Sequence, residues 1–175
     1  MKDLDRMIAS STRLYLLHDR LEPLEEEPPR AITVVLRHYL TLVNNHRHRK
    51  ALTRMLLSQH CLAVERLRHP VRYHKKPVPR DLRLCRFGCA SVETVEHALF
   101  FCNGSLDIRE KRCGFALRVR REVSAIVLVS PANATDVLKQ LVFNRGTVCK
   151  VAKFVHQVFS FFDREPLLRP AEDTF

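Results

Sequence analysis

Residues 85–102 read CRFGCASVETVEHALFFC. They place three cysteines and one histidine in the spacing Cys85-x3-Cys89-x7-His97-x4-Cys102. Structural zinc sites take four nitrogen or sulfur ligands at tetrahedral corners, and three thiolates with one imidazole are a common set. Two cysteines a few residues apart on a tight turn supply adjacent corners, and Gly88 between them adopts a positive φ without steric cost. His97 and Cys102 supply the other two from a short helix over 93–101 and its end. Five residues exceed one helical turn, so Cys102 sits where the helix terminates, with Asn103-Gly104 suited to the C-cap. Such a Zn2+ site leaves no position open for water and is structural, not catalytic. Arg83 and Arg86 flank the first cysteine and are placed to stabilise thiolate charge. The other reading of the same spacing is three buried cysteines and one hydrogen-bonded histidine. His69 and His74, nearby in sequence, are expected to be exposed.

Upstream, Asn44 and Asn45 are good N-cap residues for a helix over 47–67. On it Leu52, Met55, Leu56 and Ala63 share one face, and Arg47, Lys50 and Arg54 share another. Pro70, Pro77 and Pro79 then enforce an extended connector over 69–84. Nearer the N-terminus, apolar residues at helical spacing predict a helix over 3–17, followed by an acidic, proline-rich linker. A further helical segment spans 31–43. Downstream, 105–129 begins as helix, and the run Ala125-Ile-Val-Leu-Val leaves its second half open until Pro131. Helices over 136–143 and 147–162 close the chain. In the last, Val148, Val151, Val155, Val158 and Phe162 face inward, with Lys150, Lys153, Gln157 and Ser160 opposite.

The predicted fold class is therefore mainly α: a small helical domain with an embedded CCHC zinc knuckle. Residues 1–30 form an N-terminal helix and acidic Pro-rich linker, 31–162 the zinc-binding domain, and 163–175 a C-terminal tail. Only four glycines and no tryptophan argue against a turn-rich all-β design. At 175 residues and 46% hydrophobic, the chain can bury a core without staples.

The opening MKDLDRMIAS carries charges of both signs and does not read as a secretory signal. The aliphatic run 125–129 is far too short to span a bilayer. An intracellular protein, nuclear or cytoplasmic, is expected. In a reducing compartment cysteines serve metals or cores rather than disulfides, so Cys61, Cys113 and Cys149 are expected to be buried small hydrophobes.

The net charge of +11 is concentrated: residues 46–90 hold twelve Lys or Arg against Glu65 and Asp81, a surplus of ten. A concentrated basic segment suits polyanionic partners, RNA or DNA first among them; it equally suits a solvated face. Arg47, Lys50, Arg54, Arg72, Lys75, Lys76, Arg80, Arg83 and Arg86 are the candidate phosphate contacts. Tyr73 and Phe87 are interleaved aromatics that either stack on bases or pack in the core.

The stretch 80–89, RDLRLCRFGC, followed by 92–102, VETVEHALFFC, resembles the zinc-binding segment that follows the polymerase domain in non-LTR (LINE-type) retrotransposon reverse transcriptases. There a cysteine pair precedes a Glu-Thr/Ser-x-Glu-His-x-Leu-x-x-Cys helix, matched here by Glu93, Thr94, Glu96, His97, Leu99 and Cys102. The resemblance covers about a third of the chain and implies that Cys85, Cys89, His97 and Cys102 are zinc ligands. The family's pair is Cys-x2-Cys; here it is Cys-x3-Cys, with Gly88 to absorb the extra position. The sequence has no Asp-Asp pair for the two metal ions of a polymerase site. The resemblance thus implies a tail without its polymerase, as a retained module or a non-functional remnant, with a reverse transcriptase core as a candidate partner.

Two other functions compete. Phe159, Phe161 and Phe162 would form a protein-interaction patch if the last helix left them exposed. Cys113, between basic neighbours, has a nucleophile's setting but no identifiable base.

Overall fold

The computed structural model describes residues 2–19, 37–69 and 76–171. They form a mainly helical domain with seven α-helices: α1 Lys2–Ser10, α2 His38–Leu42, α3 His46–Leu56, α4 Ala63–Arg66, α5 Leu106–Val119, α6 Ala134–Phe143 and α7 Val148–Phe162. Short 3-10 turns lie at Tyr15–Leu17, Arg80–Leu82 and Ser124–Leu128, and a π turn at His97–Phe101.

The core is built around α7, against which α2, α3, α5 and α6 pack. Its inward residues are those the spacing predicts, joined by Ala152, Phe154 and Phe159. Phe154 stacks on Phe115 of α5 with ring centroids 4.3 Å apart and planes 9° from parallel. On α3, Ala51, Leu52, Met55 and Leu56 are buried against it. Truncating a fully buried residue such as Leu52 to Ala would cost about 2–5 kcal/mol. Leu16 and Leu17 join the same core, so the N-terminal segment contributes to the domain. The predicted division at residue 30 falls outside the described residues.

Asn45 caps α3 as expected, its side chain accepting the Arg47 and His48 N–H groups. The single helix over 47–67 is not formed. Ser58 takes φ 49°, the Ser58 N–H bonds the Met55 carbonyl and the Gln59 N–H bonds that of Arg54, which is a Schellman termination. Ser58 Oγ donates to the Arg13 carbonyl at 2.5 Å, and Arg13 Nη2 returns a bond to the Ser58 carbonyl at 3.3 Å. The break lets Leu62 and Ala63 turn inward, both fully buried.

The other departures are also local. The helix over 3–17 stops at Ser10, whose hydroxyl bonds the Met7 carbonyl; hydroxyl side chains near a helix end compete for its backbone groups. Of the expected 93–101 helix, residues 93 and 94 are not helical, 95–96 are helical, and His97–Phe101 form a π turn. After α5, residues 124–128 form a 3-10 turn. The acidic linker, residues 31–36 of the predicted 31–43 helix, and residues 70–75 of the connector lie outside the described residues.

Candidate metal centre

The first two sulfurs stand on a loop closed by the antiparallel bridge Leu84–Val92. Cys85 N–H donates to the Ser91 carbonyl at 2.8 Å and Glu93 N–H to the Arg83 carbonyl at 2.9 Å. Inside the loop the Gly88 N–H bonds the Cys85 carbonyl at 3.0 Å. Gly88 has φ 76°, as its position required, and Ala90 also enters the left-handed region at φ 48°. Within the Cys-x3-Cys spacing the left-handed residue is Gly88; Ala90 turns the chain just after Cys89.

Thr94 starts the second half: its hydroxyl accepts the His97 N–H at 3.1 Å. The chain then widens, and the Cys102 N–H bonds the His97 carbonyl at 2.7 Å. This i→i+5 bond is the π-turn pattern. It brings residues five apart to one side, which an α-helix would not do.

Cys85, Cys89, His97 and Cys102 meet as a result. Their donor atoms all lie within 4.8 Å of one another. Cys102 Sγ is 3.8 Å from Cys85 Sγ and 3.7 Å from Cys89 Sγ. A disulfide needs about 2.05 Å, so these are free thiols. Cys85 and Cys102 are fully buried, His97 is 7% exposed, and His97 Nε2 is buried without a hydrogen-bond partner among the described residues. A histidine with a ring nitrogen within 4.8 Å of three thiol sulfurs, and with Nε2 buried and unpartnered, fits a metal ion, because a buried polar atom without a partner is costly. Hydrogen bonding with Cys102 and burial push the Cys85 thiol up to about 12. The same bond holds Cys102 below the ordinary thiol range. A bound cation would replace the shared protons.

Two arginines hold this loop, in roles the sequence did not suggest. Arg86 is only 3% exposed and ion-pairs with fully buried Glu93 at 2.6 Å. Its guanidinium also donates to the carbonyls of Cys61, Phe162 and Glu165. It is committed inside the protein and offers nothing to a phosphate. Arg83 likewise gives Nε to the Val78 carbonyl and Nη1 to that of Val64. Arg112 of α5, which sequence reasoning missed, donates to the carbonyls of Leu99 and Cys102 and to Asn103 Oδ1. It lies within electrostatic reach of Cys102 and Cys89. A lone arginine ten residues past Cys102 carries no local pattern to find it by.

Asn103-Gly104 does not act as a left-handed cap. Cys102 is itself the extended C-cap, and Gly104 lets the chain pass against Phe87: a Cβ there would stand 2.1 Å from Phe87 Cβ.

Of the predicted phosphate contacts, Arg47, Lys50, Arg54, Lys76 and Arg80 are exposed. Arg72 and Lys75, with Tyr73 and His74, lie outside the described residues. Phe87 packs on Phe161 and Phe162 at 5.5 and 4.9 Å between centroids. Phe159 and Phe162 are buried, so α7 presents no free aromatic patch. Cys61 is partly buried, its thiol pushed up to about 11 chiefly by burial. Cys113 and Cys149 are exposed, contrary to expectation, because they fall on the solvent faces of α5 and α7. Among the described residues no helix is long and apolar enough to cross a membrane. No protein-family model, curated protein or solved structure matches the chain.

Proposed function

We propose that the chain is a zinc-stabilised, basic nucleic-acid-binding module, similar to the tail of a retrotransposon reverse transcriptase and without catalytic activity of its own. The observation that carries the binding reading is the exposed ridge Arg47, Lys50 and Arg54 on α3, a helix whose opposite face is locked into the core. Lys76 and Arg80 are exposed as well. Ordered cations on a rigid element give phosphate contacts, which supply affinity without base choice.

The choice of zinc rests on the donor chemistry and spacing. Tetrahedral thiolates at a Zn–S distance of about 2.3 Å lie roughly 3.8 Å apart, matching the 3.8 and 3.7 Å sulfur separations. The shared motif also has a job at each position. Glu93 anchors Arg86, Thr94 caps the turn, and Glu96 accepts from the Thr135 hydroxyl at 3.0 Å. Leu99 fills the core, and His97 and Cys102 are ligands.

The test is fluorescence anisotropy with single-stranded RNA and DNA across a salt series. Several phosphate contacts give a log–log slope of roughly −4 or steeper, at about −0.7 per contact for a single strand. Replacing Arg72, Lys75, Lys76 and Arg80 by Ala should flatten it. No binding at low salt would leave the basic segment a solvated face; an unchanged quadruple variant would remove residues 72–80 from the binding surface and leave the α3 ridge to carry it.

A further inference from the structure

Between α3 and the C-terminal half of α7 lies a groove of about 370 Å3, a volume within the range of small-ligand sites. Arg47, Lys50 and Arg54 form its cationic wall, and Ala51 and Phe159 contribute apolar surface. Arg54 is fixed in place, its Nε donating to the Gln59 carbonyl at 2.8 Å. His60 also lines the groove; it is 4% exposed, its ring lies 5.5 Å from that of Phe159, and its Nδ1 has no hydrogen-bond partner among the described residues. A buried ring nitrogen without a partner is costly and points to a ligand that supplies one.

We propose that this groove holds one nucleotide unit of a single strand, its phosphate on Arg47, Lys50 and Arg54 and its base on the apolar floor with a polar edge at His60. The inference rests on the nucleic-acid reading and gives it a location. A bare phosphate would use the cations and leave the floor and the imidazole unused. An acidic peptide is a poorer match, because burial and the nearby Arg54 and Arg13 keep His60 neutral, its pKa lowered to about 4. A neutral imidazole pairs with a carboxylate less well than with the N–H or ring nitrogen of a base. Asp163 also lines the groove and offers an acceptor for a base N–H, such as the N3–H of uracil or thymine.

The experiment uses the full chain with an eight-residue oligouridylate carrying one 4-thiouridine, and oligothymidylate as the deoxy counterpart. Photocrosslinks should fall within residues 46–61 or 156–163. The double variant R47Q/K50Q, both sites exposed, should bind about tenfold more weakly, with a salt slope shallower by roughly 1.4 for two lost contacts. Uridine monophosphate should compete better than inorganic phosphate. Crosslinks confined to other segments, or R47Q/K50Q binding like the wild type, would overturn the groove while leaving nucleic-acid binding intact. Equal competition by inorganic phosphate would reduce it to an anion site and overturn the base contact. A wild type that binds neither strand would remove both readings.

Discussion

Arg86 and Glu93, seven residues apart, form an ion pair at 2.6 Å with side chains 3% and 0% exposed. The Glu93 carboxylate also accepts the backbone N–H of Ala63 at 2.7 Å and of Arg86 at 2.9 Å. The pair therefore fastens the Cys85–Cys89 loop to the start of α4 and, through the Arg86 bonds to the Phe162 and Glu165 carbonyls, to the end of α7. Breaking a buried pair by removing one partner leaves an uncompensated charge and costs about 3–5 kcal/mol. Glu93→Gln should lower the denaturant midpoint accordingly, and Arg83→Gln should cost less. A Glu93→Gln protein as stable as the wild type would show that the pair holds nothing together.

Gly88, on the Cys85–Cys89 loop, and Gly104, which packs against that loop at Phe87, make a contrasting pair. Gly88 has open space around the position of a Cβ but a φ of 76°, so Gly88→Ala should cost about 1–2 kcal/mol of left-handed strain. At Gly104 an added methyl meets the Phe87 Cβ at 2.1 Å and its carbonyl oxygen at 2.8 Å. Gly104→Ala must displace backbone, and should destabilise by at least about 1–3 kcal/mol as overpacking does. It should also weaken metal binding more than Gly88→Ala, because the displaced loop carries Cys85 and Cys89. Thermal melts and chelator competition on both variants check the order.

Much of this was legible in the sequence, and the gaps have one cause. Apolar period and caps located α3, α6 and α7 because those signals are local: Asn45 caps where it stands, and the inward valines of α7 recur at helical spacing. The cysteine spacing located the four donors for the same reason. The break after Leu56 was not legible, since 47–67 contains no Gly or Pro; it is fixed by Ser58 meeting Arg13 and by Glu93 reaching the Ala63 N–H. Arg86 was misread as a surface cation because its partners, Glu93 and the Phe162 and Glu165 carbonyls, are assembled only by the fold. The π turn was foreseen only as a helix end, although the five-residue ligand spacing was its signature.

His60 supplies a pH dependence. Its pKa falls from the usual 6.5 to about 4 because burial, then Arg54 and Arg13, disfavour the charged ring. Between those values the unfolded chain binds a proton that the native chain does not. Stability therefore falls as pH drops from about 6.5 to about 4, by roughly 3 kcal/mol from this group in full. His60→Gln should flatten that part of the profile relative to the wild type. Parallel profiles for the two proteins over this window would mean that His60 does not stay neutral in the fold.

The metal prediction separates ligands from bystanders. Prepared under reducing conditions, the protein should carry about one zinc per chain by native mass spectrometry, because the four donors form one complete set. Cys102→Ser removes the sulfur that lies within 3.8 Å of both other cysteines and leaves an incomplete site, so zinc should be lost. The Cys85–Cys102 segment should then become protease-sensitive, since its loop has a single β-bridge of its own. Most helicity should survive: α3 and α7 bury apolar faces against each other, and Phe115 still stacks on Phe154. Loss should be felt first at the end of α7, where Arg86 joins the loop to Phe162. Cys113→Ala and Cys149→Ala, both at exposed thiols, should keep the full zinc content and nearly full stability. Cys61→Ala should also keep its zinc and cost only packing. A metal-free wild type would refute the site; zinc retained by Cys102→Ser would place the ligand set elsewhere.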